Sequence, residues 1–306
     1  MYTYGPVPSR RLGRSIGVSP IPTKTCNYSC VYCQLGRTTN FTITRESFFD
    51  PDAIFSELNN RIGDNAADFI TFVGDGEPTL CKDLGWLIEQ SKQRFDIPVA
   101  IITNGSLMFR KDVRYELLQA DLILPSIDAG YKKTFKKINR PHKNLKFKEI
   151  INGIIEFSTI FEGHLWTETM LVNGYNDNRS ELKQIKSIID EINPEKAFIM
   201  APTRPPAEDV SPPIPEIYLY AQKLIIRSET ITNFEQGEFD ISKYKNAREA
   251  IIELSSRHPL RKEQALKIAA QFDQEETIVT CIQKGDLLLR EYCNAKYILP
   301  GKIFKR

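Results

Sequence analysis

The chain has 306 residues, of which 41% are hydrophobic and 26% charged, with a formal net charge of +2. That balance excludes a disordered or fibrous chain and leaves room for one large core with a small satellite. Six cysteines do not make a secreted disulfide scaffold, and no apolar run reaches the ~18 residues needed to cross a bilayer. With no signal peptide at the start, the expectation is a cytoplasmic protein of the reducing cytosol, without a membrane partner.

Residues 1–24, MYTYGPVPSRRLGRSIGVSPIPTK, are rich in Pro, Gly and Arg, with a short first strand expected at 16–21. Arg10, Arg11 and Arg14 read either as a solvated arm or as groups that hold an anionic substrate or cap a metal centre. The next stretch, T-C-N-Y-S-C-V-Y-C-Q, spaces Cys26, Cys30 and Cys33 as C-x3-C-x2-C. Three thiols this close cannot all pair as disulfides, because one is left over. They suit a soft metal centre, and thiolate is the usual ligand of iron–sulfur clusters. A four-iron cubane normally takes four cysteines, so three leave one iron open to a reactant, like the vacant position of catalytic zinc. A zinc site lacking its fourth ligand and a set of three buried thiols are the other readings of this spacing.

Asp50 and Pro51 read as a helix N-cap followed by proline in the first turn. Ile54, Leu58 and Ile62 then give an apolar face about three turns long. Further strands are expected at 69–73, 98–102, 122–126, around 165–172 and around 197–200, separated by helices at 83–95, 111–119, 147–161 and 179–192. Three of these strands end in short polar or glycine-bearing phrases: G-D-G-E-P at 74–78, T-N-G at 103–105 and I-D at 127–128. Alternating buried strand and amphipathic helix means an α/β fold, a parallel sheet with helices outside. Counting the strand before the cysteines gives about six βα units, short of the eight of a closed barrel.

Residues 201–215 hold six prolines and show no helical period. A helix at 216–227 and a strand-like 229–234 follow, and a boundary near 237–243 divides the chain into units of 1–240 and 241–306. In the second unit, helices at about 247–255, 262–272 and 275–284 precede a hairpin of 287–290 and 297–299. Three helices and a hairpin is the order of a winged helix-turn-helix.

The pattern C-x3-C-x-aromatic-C, with Tyr32 just before Cys33, resembles the signature of the radical S-adenosylmethionine (radical SAM) superfamily. The opening block GPVPSRRLGRSIGVSPIPTKTCNYSCVYCQLGRT is similar to an iron–sulfur oxidoreductase group related to wyosine-type tRNA-modifying enzymes. The resemblance implies a partial (βα)6 barrel with a [4Fe–4S] cluster on Cys26, Cys30 and Cys33, and S-adenosylmethionine chelating the open iron. It implies that Gly76 and Glu77 hold the amino group of the methionine half. Asp75 stands where the family often has glycine or a small residue. It places Thr103, Asn104, Ser126 and Asp128 beside the ribose and carboxylate. Glu168 and Asn173 come within reach of the same ligand, and Tyr32 against the adenine. Taken alone, these residues would be turns, caps, an outward polar face and packing.

By the same resemblance, one electron cleaves S-adenosylmethionine and the 5′-deoxyadenosyl radical takes a hydrogen atom from the substrate. An electron donor of flavodoxin or ferredoxin type is implied. No position marks a further catalytic residue or the product. Cys81, Cys281 and Cys293 do not cluster and read as buried small hydrophobes, so no second cluster is expected.

Residues 132–148, KKTFKKINRPHKNLKFK, hold eight Lys or Arg and no acid, and residues 243–306 hold 13 basic against 8 acidic side chains. Solvated helix faces and a phosphate-binding rim are the two readings. Glu275 and Glu276 open the third C-terminal helix and would repel DNA phosphates. The basic groups sit instead at Arg261, Lys262, Lys267, Lys302, Lys305 and Arg306. The expected substrate is large, tRNA first, with a protein or peptide as the alternative. An iron–sulfur DNA-binding regulator is a reading of another class, opposed by the elements at 74–78 and 103–105.

Overall fold

The computed structural model describes residues 1–63, 67–233 and 239–301. The chain opens with β1 (Thr3–Ser9) and β2 (Gly13–Val18), an antiparallel hairpin. Two short strands, β3 (Thr25–Cys26) and β4 (Asn40–Phe41), pair with each other and bracket the cysteine loop. From β2 the main sheet continues in parallel through β5 (Phe69–Phe72), β6 (Val99–Thr103), β7 (Leu122–Pro125), β8 (His164–Met170), β9 (Lys196–Met200) and β10 (Ser228–Ile231). The order is sequential from β1 to β10 and does not close. The six strands of the expected βα units are present, and the strand-like segment from 229 is β10, a seventh parallel strand. The antiparallel edge β1 was not expected. T-Y-G-P-V-P-S conceals a strand because its prolines lack ladder donors, which only an edge tolerates. Gly5, at φ +91°, sits where the register shifts between Tyr4 and Val7, a conformation that glycine adopts without a Cβ clash.

Seven helices lie between these strands: α1 (Pro51–Ile62), α2 (Leu84–Arg94), α3 (Lys111–Leu117), α4 (Lys132–Ile138), α5 (Phe147–Ser158), α6 (Arg179–Ile192) and α7 (Pro215–Leu224). Asp50 caps α1 by accepting from the Asp52 amide, and Ile54, Leu58 and Ile62 are buried as the spacing requires. In α6, Leu182, Ile185, Ile189 and Ile192 form the buried stripe, and Asn193 ends the helix in the left-handed region. Strand residues alternate between two environments. Val99, Ile101, Ile123 and Ile199 join the main core, while Ala100, Leu122, Leu124, Phe198 and Met200 form a separate cluster with Leu12. The basic run at 132–148 contains α4, a helix that the sequence reading did not place. Only Phe135 and Ile138 turn inward, too few to show a period. Its N-terminus is held by Glu181 of α6, which accepts from the Gly130 and Tyr131 amides and the Thr134 hydroxyl.

Beyond residue 239 come α8 (Ala247–Arg257), β11 (Leu260–Arg261), α9 (Lys262–Ala270), α10 (Thr277–Gln283), β12 (Leu287–Tyr292) and β13 (Ala295–Pro300). The three strands form an antiparallel sheet in the order β11-β13-β12. The expected three helices and hairpin are there, with β11 added. Ile251, Leu254, Leu260, Ile268, Leu287 and Ile298 build a second core, and Val7 of β1 packs against it. Cys81 and Cys281 are buried as expected, but Cys293 is exposed. The hairpin explains the exception: Tyr292 pairs with Ala295, so Cys293 and Asn294, both at positive φ, are its two-residue turn. Phe234 and the basic residues Lys302, Lys305 and Arg306 lie outside the described residues.

Gly153 of α5 lets that helix touch the loop between β6 and α3, since a Cβ there would lie 2.4 Å from the Phe109 nitrogen. Gly153→Ala is expected to cost about 1–3 kcal/mol by overpacking. Urea unfolding measures this, and an unchanged midpoint would refute the contact.

Candidate active site

The cysteine loop lies over the C-terminal ends of the parallel strands, where loops rather than ladders present side chains. Two backbone contacts seat the 74–78 loop on it: the Glu77 amide donates to the Thr25 carbonyl (3.1 Å) and the Lys24 amide to the Asp75 carbonyl (2.5 Å). Gly76 makes this possible, because a Cβ would lie 1.8 Å from the Thr25 oxygen. The result is a cavity of about 190 Å³. Cys26, Cys30 and Cys33 line it together with Tyr32, Asp75, Gly76, Glu77, Thr103, Asn104, Ser126 and Glu168. Segments far apart in sequence thus meet on one wall.

Glu77 is 1% exposed and fully engaged. One oxygen accepts from the Thr79 amide (3.1 Å), the Thr79 hydroxyl (2.5 Å) and the Thr103 hydroxyl (2.6 Å); the other accepts from the Asn104 amide (2.7 Å). Burial pushes its pKa up, and those four donors pull it back. Glu77 therefore ties the loop after β5 to the end of β6. Asn104 carries the connection onward by donating to Asn27 Oδ1 (2.8 Å) and towards Cys26 Sγ (3.7 Å). Ser126 donates to Glu168 (3.2 Å), which also pairs with Arg11.

Asp128 does not line the cavity. It is buried behind it, accepting from the Tyr32 hydroxyl, Asn139 Nδ2 (2.7 Å) and the Met170 amide (2.9 Å). Its contact with the cavity runs through Tyr32. Asn173 is also elsewhere, exposed and bonded to Ser211 in the proline-rich segment. Asp75 lines the cavity, but its carboxylate turns to Thr23 (3.2 Å) and Arg257 (3.3 Å). Lys24, Tyr28 and Thr38 line the cavity and were not anticipated. No spacing rule marks them, whereas Arg257 lies 182 residues from Asp75 and carries no local signal at all.

The three thiols are free, and burial raises the pKa of each. The negative charges of Glu77 near Cys26 and Asp128 near Cys30 add to the effect. Reactive nucleophilic cysteines sit in electropositive surroundings, so this is the wrong place for one. A cationic iron centre would supply the missing positive charge. Asn27 Nδ2, buried in the same loop, has no acceptor among the described residues, and cluster sulfur would provide one.

Residues 20–185 match the Radical SAM superfamily. The chain is 39% identical to the UPF0026 protein MJ1312 of Methanocaldococcus jannaschii, over 98% of this chain and 94% of that one. It is 30% identical to a UPF0026 protein of Helicobacter pylori strain J99, over 86% of each. A radical SAM methyltransferase from Sphaerobacter thermophilus shares the fold at 12% identity, with a TM-score of 0.51 over 71% of this chain and 66% of that one.

Anaerobic reconstitution is expected to load about four irons per chain. Cys26→Ala, Cys30→Ala and Cys33→Ala should each abolish loading, and Cys81→Ala should not. Equal loss from Cys81→Ala, or zinc in place of iron, would overturn the ligand set. Glu77→Ala should lower stability by about 1–3 kcal/mol, because buried donors lose their acceptor, and should weaken binding of S-adenosylmethionine. A variant as stable as the parent in urea would show that the bonds around Glu77 carry no weight.

Proposed function

The chain belongs to the radical SAM superfamily, and on that premise we propose that it modifies RNA, with tRNA as the first candidate. It is an enzyme, and its cofactors are a [4Fe–4S] cluster and S-adenosylmethionine. When bound, they would supply one-electron chemistry able to remove a hydrogen atom from the substrate. The protein's part is to bind, orient and exclude water. Cys26, Cys30 and Cys33 would hold the cluster. Gly76, Glu77, Thr103, Asn104, Ser126 and Glu168 would wall the S-adenosylmethionine beside it, with Tyr32 fixed by Asp128. We assign residues 1–240 to the partial barrel and 241–306 to a winged-helix-like unit that docks substrate. A cytoplasmic location and a flavodoxin- or ferredoxin-like donor belong to the same proposal. Among the described residues no helix is long and apolar enough to cross a membrane.

One observation carries the RNA reading. All eight cations of 132–148 are exposed, on a segment hydrogen-bonded to the cysteine loop. The Ser29 amide donates to the Asn139 carbonyl (3.0 Å), the Val31 amide to the Ile138 carbonyl (2.9 Å) and the His142 amide to the Asn27 carbonyl (2.8 Å). A phosphate backbone held by these cations would lie beside the cavity. Phe41, 44% exposed with its ring 5.3 Å from His142, adds a surface on which a base can stack. α10 offers nothing comparable to DNA: it has no basic residue and follows Glu275 and Glu276.

The direct test is anaerobic incubation with S-adenosylmethionine and a reductant, beside cellular RNA and protein fractions, with mass spectrometry of each. A new nucleoside mass is expected; modified peptides with unmodified RNA would select the protein reading. The combined change Lys133→Glu, Lys136→Glu and Lys137→Glu should weaken RNA binding more than about tenfold at ~50 mM salt, where backbone contacts are strongest. Unchanged binding in a gel-shift titration would remove this face from the interface.

A further inference from the structure

The sulfurs of the cysteine loop differ in where their hydrogen-bond donors come from. Cys26 Sγ accepts from the Tyr28 amide (3.4 Å), and the Leu35 amide serves Cys33; both donors are backbone groups of the loop itself. Asn104 also points at Cys26, but at 3.7 Å and with its amide already on Asn27 Oδ1. Cys30 Sγ is met from outside the loop, by the side-chain amide of Asn139 at 3.5 Å. The two residues are 109 positions apart.

Asn139 is built to hold that position. It is the C-cap of α4 and only 3% exposed. Its backbone amide donates to the Phe135 carbonyl (3.0 Å), and its carbonyl accepts from the Ser29 amide (3.0 Å), one residue before Cys30. The backbone is thus clamped between helix and cysteine loop. The side-chain nitrogen also donates to Asp128 Oδ2 at 2.7 Å. An ionised carboxylate only accepts, so this contact decides which end of the amide faces it. The oxygen end is excluded, and the nitrogen end is the one that reaches Cys30. Asp128 is itself fixed by the Tyr32 hydroxyl and the Met170 amide. Donor and sulfur are therefore set in place by protein contacts alone.

We propose that Asn139 is a positioning residue that sets the reduction potential of the cluster through its bond to Cys30. Reduction adds negative charge to the cluster and its ligand sulfurs, and an N–H aimed at one of them stabilises the reduced form. Hydrogen bonds to the sulfurs, net charge and exposure are the protein's means of adjusting such a potential. Asp128, a carboxylate close to the same sulfur, acts in the opposite direction. The amide lies between the two and bonds to both. This proposal rests on the assignment of the cluster to Cys26, Cys30 and Cys33.

The test is a potentiometric titration of the full-length, cluster-loaded protein, followed by electron paramagnetic resonance of the reduced cluster. Asn139→Leu keeps the size of the side chain and removes its donors. At a fixed solution potential its ratio of reduced to oxidised cluster should fall about tenfold, which is about 59 mV downward for one electron. Asn139→Ala, measured beside it, should shift the same way, and Asn139→Gln, which retains the amide on a longer stem, should recover part of the shift. Both donorless variants also take a partner from Asp128, and neutralising that carboxylate would move the potential upward, so the sign separates the two effects. The downward shift should persist when Asn139→Leu is made together with Asp128→Asn. Thr134→Val removes the hydroxyl that Glu181 holds near the start of α4, far from any sulfur. It should lower the melting temperature and leave the potential in place. An unchanged or raised potential in both donorless variants, a shift that vanishes beside Asp128→Asn, or an equal shift in Thr134→Val overturns the proposal. Iron is assayed in every sample. A parent protein that does not load about four irons removes the cluster assignment together with this proposal; a loaded parent with an unmoved Asn139→Leu removes this proposal alone.

Discussion

The approach of Gly76 to the Thr25 carbonyl is the contact on which the rest of the site depends. Backbone can meet backbone there only because position 76 has no side chain. With the two loops in register, Glu77 falls between Thr79 and the end of β6, where it collects four donors. Asn104 is thereby held against Asn27 and Cys26. A larger residue at 76 would push the loop off the cysteine segment, and each later link would lose its partner. The buried carboxylate costs free energy by itself, so the network is stable only when complete.

A second cavity, of about 120 Å³, adjoins the first, with Val73 and Ile102 lining both, and the two differ in electrostatic character. The first gathers thiols and carboxylates whose protonated forms burial favours. The second gathers Arg10, Arg11, Arg204 and Arg257. Glu168 and Arg11 form the seam between them, as do Asp75 and Arg257, each pair contributing one member to either side. Such a seam neutralises charge at the boundary between them. A cationic metal centre suits the thiol wall.

Much of this was legible in the sequence, for physical reasons. The cysteine spacing is local, and glycine or polar phrases at strand ends stand out against apolar runs. Six strands announced themselves because a strand buried on both faces is apolar throughout. β1 did not, since an edge strand can carry Gly5, Pro6 and Pro8. α4 did not, since two inward residues make no period. Asp128 stands out as a carboxylate at a strand end, but only the fold shows Tyr32 and Asn139 already on it. The arginine wall was beyond reach, because Arg10, Arg204 and Arg257 share no spacing and meet only through tertiary structure.

The pairing of Asp75 with Arg257 has a consequence for how this chain can diverge. Asp75 lies in the loop that meets the cysteine segment, and Arg257 ends the first helix of the C-terminal unit. Loss of Arg257 alone would leave the buried Asp75 without its counter-ion, whereas Arg257 keeps Glu253 when Asp75 is lost. Related chains that lose the arginine should therefore lose the aspartate with it. A relative without an arginine at the place of Arg257 is expected to carry a small residue at the place of Asp75. The covarying pair would then serve as a lineage marker for this particular arrangement of the two cores.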